Sequence, residues 1–197
     1  NLNLNTDEFA IKSATNWDRD QYLNMYVGPN IGFLGWAYLP SPTSLPNPIL
    51  DGIVVATGAF GGPGFAWSTP YDLGRTATHE IGHYLGLGHV WGGGCSTDDG
   101  FADTPNQSGP NWGCPNHPSP SCGNGGDMFC NYMDYVDDDC MNSFSQDQAD
   151  YMNLILNTSR SSLLSAANTV CNIAPPALGV NIIQTVDLLC GEGSDGL

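Results

Sequence analysis

Basic side chains are nearly missing from this sequence. Lysine and arginine together number 4, against 20 aspartates and glutamates, for a formal charge of −16. Phosphate contacts need a basic surface, so nucleic acid is not an expected partner. A cationic substrate or calcium suits the balance better, and a solvated acidic surface suits most of these carboxylates. Apolar runs long enough to cross a membrane are missing too, and no leader-like stretch opens the chain. A processed mature chain or an excised fragment reads this way. Cysteine never occurs as a Cys-x-x-Cys pair, which argues against a structural zinc knuckle. The 7 cysteines, at 95, 114, 122, 130, 140, 171 and 190, instead predict disulfides and export. Their odd count leaves one free or paired outside this chain. With 197 residues, 41% of them hydrophobic, there is material for one domain with a core and a possible appendage.

Histidine is scarce as well, yet three of the 4 fall in one run, His79-Glu80-Ile81-Gly82-His83-Tyr84-Leu85-Gly86-Leu87-Gly88-His89. Helical positions four apart share a face, so His79 and His83 can point at one ion. Zinc accepts neutral imidazoles and, in catalytic sites, takes three protein ligands plus a water. Glu80 adjoins the first ligand, where its carboxylate reaches that water rather than the ion. Gly86 can end the helix in a left-handed turn. The chain then doubles back, and His89 supplies the third nitrogen. A metal-free amphipathic helix would not require all five residues at this spacing. The pattern His-Glu-x-x-His-x-x-Gly-x-x-His resembles that of the metzincin zinc proteases.

Organisation around the run is read from periodicity. Residues 1 to 20 are polar and carry a weak signal. Residues 21–27 alternate with aromatics and predict a strand; residues 32–40, closed by Pro40, predict a second. A loop over 41–49 leads to a third strand over 51–57, apolar enough to be central. Residues 58–70 are a glycine-rich connection, and the histidine helix starts near 72–76. From Trp91 to Cys140 no periodicity survives, so disulfides and bound ions must stabilise the segment. Ser145 and Gln148 form a capping-box pattern before a helix whose apolar face is Ala149, Met152, Ile155 and Leu156. Pro175-Pro176 reads as a linker, and residues 180–197 as the start of a further β-repeat.

Asn131-Tyr132-Met133-Asp134-Tyr135 resembles the metzincin Met-turn, in which Met133 would form an apolar floor under the ligands. Tyr135 matches a tyrosine that several metzincins place beside the metal, where its phenol donates to an oxyanion. Val90 follows the third histidine, unlike the Glu, Asp, Ser or Pro of astacins, adamalysins, matrix enzymes or serralysins. With the cysteine spacing and the segment Asp98-Asp99-Gly100-Phe101-Ala102-Asp103-Thr104-Pro105, this resembles the pappalysin family over about residues 20 to 160.

That resemblance implies an α+β metzincin (zincin-like) fold. A twisted mixed sheet and the active-site helix would lie above, and an irregular, disulfide-stapled half with a C-terminal helix below. The catalytic domain would span 1–171, divided after His89, and 172–197 would be linker and repeat. Metzincin domains normally begin with a further strand and a long helix, so the start would be abbreviated or cut. The resemblance also implies disulfides Cys95–Cys122 and Cys114–Cys140, and a calcium loop with Asp99, the Ala102 carbonyl and Thr104 as ligands. A plain Asx turn is the other reading of that loop. An edge strand over 33–38, with Gly35, Trp36 and Ala37, would pair with the extended substrate. Asp139, just before Cys140, would sit at the base of the pocket for the residue after the scissile bond.

The expected function is a secreted or cell-surface zinc endopeptidase acting on protein or peptide, with zinc and calcium as cofactors. His79, His83 and His89 hold zinc, Glu80 is the general base, and Tyr135 steadies the oxyanion. Cleavage is expected before Arg or Lys. No membrane span and no obligate protein partner are indicated. A calcium-stabilised binding module on a protease-derived fold is the competing expectation, with a zinc-dependent non-protease hydrolase behind it. Glu80 separates these, since a module without catalysis has no need of the base.

Overall fold

A computed structural model describes residues 3–29, 32–62, 64 and 69–165. The linker and β-repeat expected over 172–197 lie outside the described residues.

Helix α1 spans Leu4–Thr15, capped by the Asn3 side chain and kinked at Asp7. It corrects the weak reading of the first twenty residues. Periodicity fails there because the buried face carries Lys12 beside Leu4 and Ile11. Three strands follow, β1 at Met25–Gly28, β2 at Gly35–Ala37 and β3 at Ile53–Ala56. They are ordered β1-β3-β2, with β1 parallel and β2 antiparallel to β3. Each is shorter than its periodicity predicts. A turn at Asp18, which accepts from the Gln21 and Tyr22 amides, occupies the start of the first run. Gly52, at φ +106°, bends the chain just before β3, and a Cβ there would run into the Asn24 carbonyl.

Central β3 is wholly buried at Ile53, Val54 and Val55, as a strand covered on both faces must be. Ile53 and Val55 pack against Tyr84 and Ile81 of α2, which spans Arg75–Tyr84. Val54 turns the other way, onto Leu4 and Ile11 of α1. Thus one helix lies on each face of the sheet.

Gly86, at φ +94°, stops the chain beyond α2 in the left-handed turn its position predicts. From there to Ser145 only turns and an isolated bridge between Asn131 and Ser143 occur. Disulfides Cys95–Cys122 and Cys114–Cys140 staple this stretch in the pairing the resemblance implies. Cys130 has no disulfide partner among the described residues; Cys171 and Cys190 lie outside them. Helix α3 spans Gln146–Asn157 and opens on the expected capping box. The cap's Gln148 also accepts from Asn131 Nδ2 at 2.7 Å, tying α3 to the Met-turn.

Past α3 the chain returns to the sheet through Arg160. Its guanidinium meets both oxygens of Asp51 at 2.9 Å and its Nε donates to the Tyr84 carbonyl at 2.8 Å. Arg19 pairs with Asp51 from the other side at 2.7 Å.

Candidate active site

α2 delivers its two histidines as the spacing predicts. Each ring is held from behind by a backbone carbonyl: His79 Nδ1 meets Tyr132 O at 2.6 Å, and His83 Nδ1 meets Leu87 O at 2.7 Å. Such bonds fix which nitrogen faces the site. His89 arrives after the Gly86 turn, its Nε2 3.1 Å from that of His83. No backbone carbonyl holds its second nitrogen among the described residues; instead the ring stacks on Trp91, with centroids 4.2 Å apart and planes 13° off parallel. One ring nitrogen from each of the three lies within 4.8 Å of the others. Burial, then the neighbouring imidazoles, holds His79 down to about 3. His89 is held to about 3 by burial and then by His83, and burial lowers His83 too. All three are therefore neutral at physiological pH, the form a metal ion needs. Three convergent neutral imidazoles are a donor set that fits zinc.

Glu80 lies beside them, 4% exposed, and its Oε2 has no hydrogen-bond partner among the described residues. Burial alone raises it to about 8. Strand β2 passes directly over it. A Cβ on Gly35 would come within 2.8 Å of Glu80 Oε1, so only glycine lets the edge strand approach the carboxylate. Gly82 has a matching role below, since a Cβ there would collide with the Met133 sulfur. Met133 is fully buried with Leu87 and Val90, an apolar floor beneath the histidines.

Tyr135 Oη is 3.1 Å from His89 Nε2. Burial, then Glu80 and Asp134, pushes its phenol above the ordinary value, so it stays a donor. Asp134, fully buried, holds the turn in place: Oδ1 accepts from the Tyr135 and Asn111 amides at 2.8 Å, and Oδ2 from Gln107 and Asn111 side chains at 2.9 and 3.0 Å. The cleft over the site has a volume of about 350 Å³ and runs between β2 above and Tyr135, Val136, Asp138 and Met141 below.

A peptidase family described as pregnancy-associated plasma protein-A matches residues 5–157. The chain belongs to this family. Among its relatives are extracellular metalloproteases. That of Arthroderma otae is 43% identical over 148 residues, 73% of this chain and 54% of the relative. Extracellular metalloprotease 1 of Coccidioides posadasii is 40% identical over 151 residues, 74% of this chain and 53% of the relative. The chain thus spans about half the length of these relatives. Mature mirolysin of Tannerella forsythia, solved in complex with a cleaved peptide, superposes with a TM-score of 0.77 at 40% identity, covering 87% of this chain and 68% of that one. The fold is that of a metzincin.

Within this pappalysin framework the structure gathers His79, His83, His89, Glu80, Met133, Tyr135 and the strand Gly35-Trp36-Ala37 around one cleft. Asp139 is not among them. It is exposed beside the Cys114–Cys140 disulfide, whereas Asp134 and Asp138, the latter 1% exposed, are among the residues that line the cleft. Asp138 Oδ2 accepts from the Leu73 and Arg75 amides at 2.8 and 3.2 Å, a link between the lower half and the start of α2 that no local pattern signals. In the expected calcium loop, Asp99 Oδ1 accepts from Thr104 Oγ1 at 2.6 Å, and Ala102 sits exposed between them. Sequence reasoning missed Asp134 and Trp91; both lie one or two residues from singled-out positions, and adjacency was the available signal.

Proposed function

We propose that this protein is a secreted zinc endopeptidase that cuts extended polypeptides before arginine or lysine. The observation that carries the reading is the union of three neutral, convergent imidazoles with a buried carboxylate whose Oε2 has no partner, under an edge strand. Zinc, when bound by His79, His83 and His89, supplies Lewis acidity to the scissile carbonyl and acidifies the attacking water. Glu80 Oε2 accepts a proton from that water and later delivers it to the leaving amine. Tyr135 Oη donates to the oxyanion as charge develops. Substrate backbone pairs with the free edge of β2, since its other edge is taken by β3. The mirolysin structure holds a cleaved peptide, which supports a peptide as the substrate. A binding module on the same fold would have no use for a dry, unpartnered carboxylate.

Asp138 carries the basic specificity. Its carboxylate lies in the cleft wall with Oδ1 outside both backbone bonds, able to meet a guanidinium or ammonium. Calcium belongs to the loop at Asp99. Asp99 Oδ2 is buried with no donor among the described residues, and an orphaned carboxylate oxygen is what a hard cation uses. Adding a calcium-selective chelator is expected to lower the melting temperature; an unchanged value removes calcium from the reading.

The test of the whole is a digest of denatured protein with and without a zinc chelator, followed by sequencing of the fragments. New N-termini at Arg and Lys that vanish with chelator are the expected outcome. Cleavage that survives zinc removal overturns the mechanism.

A further inference from the structure

Behind the sheet, on the face away from the cleft, lies a buried polar knot that the mechanism does not use. Lys12 on α1 is fully buried. Its Nζ pairs with Glu8 Oε1 at 2.8 Å and donates to the Leu50 carbonyl at 2.7 Å. Glu8 Oε1 also accepts from Trp36 Nε1 at 2.9 Å, and Oε2 from Tyr38 Oη at 2.8 Å. Burial, then Glu8, pushes the Tyr38 phenol to about 12, so it remains a donor. With Lys12 fully buried and the Glu8 side chain only 16% exposed, the pair is costly to build and adds little net stability compared with apolar packing, so its presence here calls for another use.

Position supplies that use. Trp36 is the middle residue of β2, and strand side chains alternate between faces. Its indole therefore points to α1 while Gly35 and Ala37 face α2. Between Gly35 and Glu80 there is no room for even a methyl group. A shift of β2 toward α2 would drive its backbone into the carboxylate, and a shift away would open the cleft. Only three residues of β2 pair with β3, too few to fix the strand by its ladder alone.

We propose that Glu8, neutralised by Lys12, is a positioning residue that holds the substrate-binding edge strand at its working height over Glu80 through Trp36 and Tyr38. The inference rests on the reading of β2 as the strand that pairs with substrate. It concerns ground-state binding of the extended chain, so its signature is in KM rather than in kcat.

The experiment compares wild type with Glu8→Gln, Trp36→Phe and Tyr38→Phe on two substrates. One is a peptide long enough to run along β2; the other is a blocked dipeptide-length substrate with the same scissile bond. Zinc content and melting temperature are measured alongside. Glu8→Gln is expected to keep its zinc and raise KM for the long peptide about tenfold, with kcat within about twofold and the short substrate unaffected. Each Phe variant is expected to raise the long-peptide KM by about two- to fourfold, and to add little when combined with Glu8→Gln. A lowered melting temperature with unchanged KM values marks a merely structural knot and overturns the proposal, as does an equal loss on both substrates. Should Glu8→Gln fail to fold, the two Phe variants, which keep the packing, decide on the same criterion. A wild-type chain that cuts neither substrate removes the peptidase reading itself; an active wild type with indifferent variants removes only the role of Glu8.

Discussion

At Glu80 the fold keeps a carboxylate dry, and at Gly35 it gives up a side chain to do so. Burial alone raises Glu80 to about 8, and a cation held by the three imidazoles beside it would favour the ionised carboxylate that can accept a proton. Glu80→Gln keeps the shape and removes the proton acceptor. It is expected to retain zinc, measured by metal analysis, while peptidase activity falls by about a thousandfold or more. Full activity in a zinc-loaded Gln variant would end the role assigned to Glu80. The adjacent aspartates give a second comparison at this scale. Asp138→Ala is expected to cost about 1–3 kcal/mol of preference for basic over neutral residues after the cut. Asp139→Ala, exposed and outside the cleft, is expected to leave the cleavage map unchanged. A map altered by Asp139 and indifferent to Asp138 would return specificity to the residue first expected. Competing loss of the Leu73 and Arg75 bonds in Asp138→Ala is monitored by Asp138→Asn, which keeps a side chain able to accept from both amides while discarding the charge.

Elements were legible in the sequence wherever their pattern was local. The histidine helix, the Gly86 stop, the central strand and the capping box at Ser145 all stand where periodicity and caps put them. α1 was not, because its inner face is built from Lys12 and Glu8, whose burial is settled by Trp36, Tyr38 and Leu50 far along the chain. The Asp51 clasp was hidden for the same reason: Arg160 lies 109 residues away. It joins the end of α2, the start of β3 and the chain beyond α3, and it makes a prediction about acid. Burial pushes Asp51 up, but Arg160 and then Arg19 overcome it and hold the carboxyl below its ordinary value. A depressed carboxylate contributes stability that is full above its unfolded pKa, about 3.9, and is lost as pH falls through the lower folded value. Asp51→Asn is expected to destabilise the fold by about 3–5 kcal/mol at neutral pH, since Arg160 is left buried and half-paired. The gap from wild type should narrow below about pH 4, where wild type loses the same charge. Thermal melts of both proteins across that range test it; a gap that widens in acid would contradict the clasp.

Across the whole molecule, the shortage of basic residues acquires a meaning from the proposed specificity. An enzyme that cuts before Arg and Lys meets only four such bonds in its own chain, at Lys12, Arg19, Arg75 and Arg160. None is presented as an extended segment. Lys12 is fully buried within α1, and Arg160 is 2% exposed in the Asp51 clasp. Arg19, though 35% exposed at its side chain, is paired with Asp51. Arg75 is the first residue of α2, its guanidinium over the Tyr132 ring. A protease needs several residues of its substrate extended along the edge strand, so each site requires local unfolding before it can be cut. Folded enzyme at high concentration is therefore expected to keep its activity with a half-life that does not shorten as concentration rises. Warmed into its melting transition it should fragment, and the new N-termini should begin at those four residues alone. Mass spectrometry of the fragments and the concentration series measure the two halves. Concentration-dependent loss well below the melt, with cuts at other residues, would refute both the specificity and the protection that the fold gives these four positions.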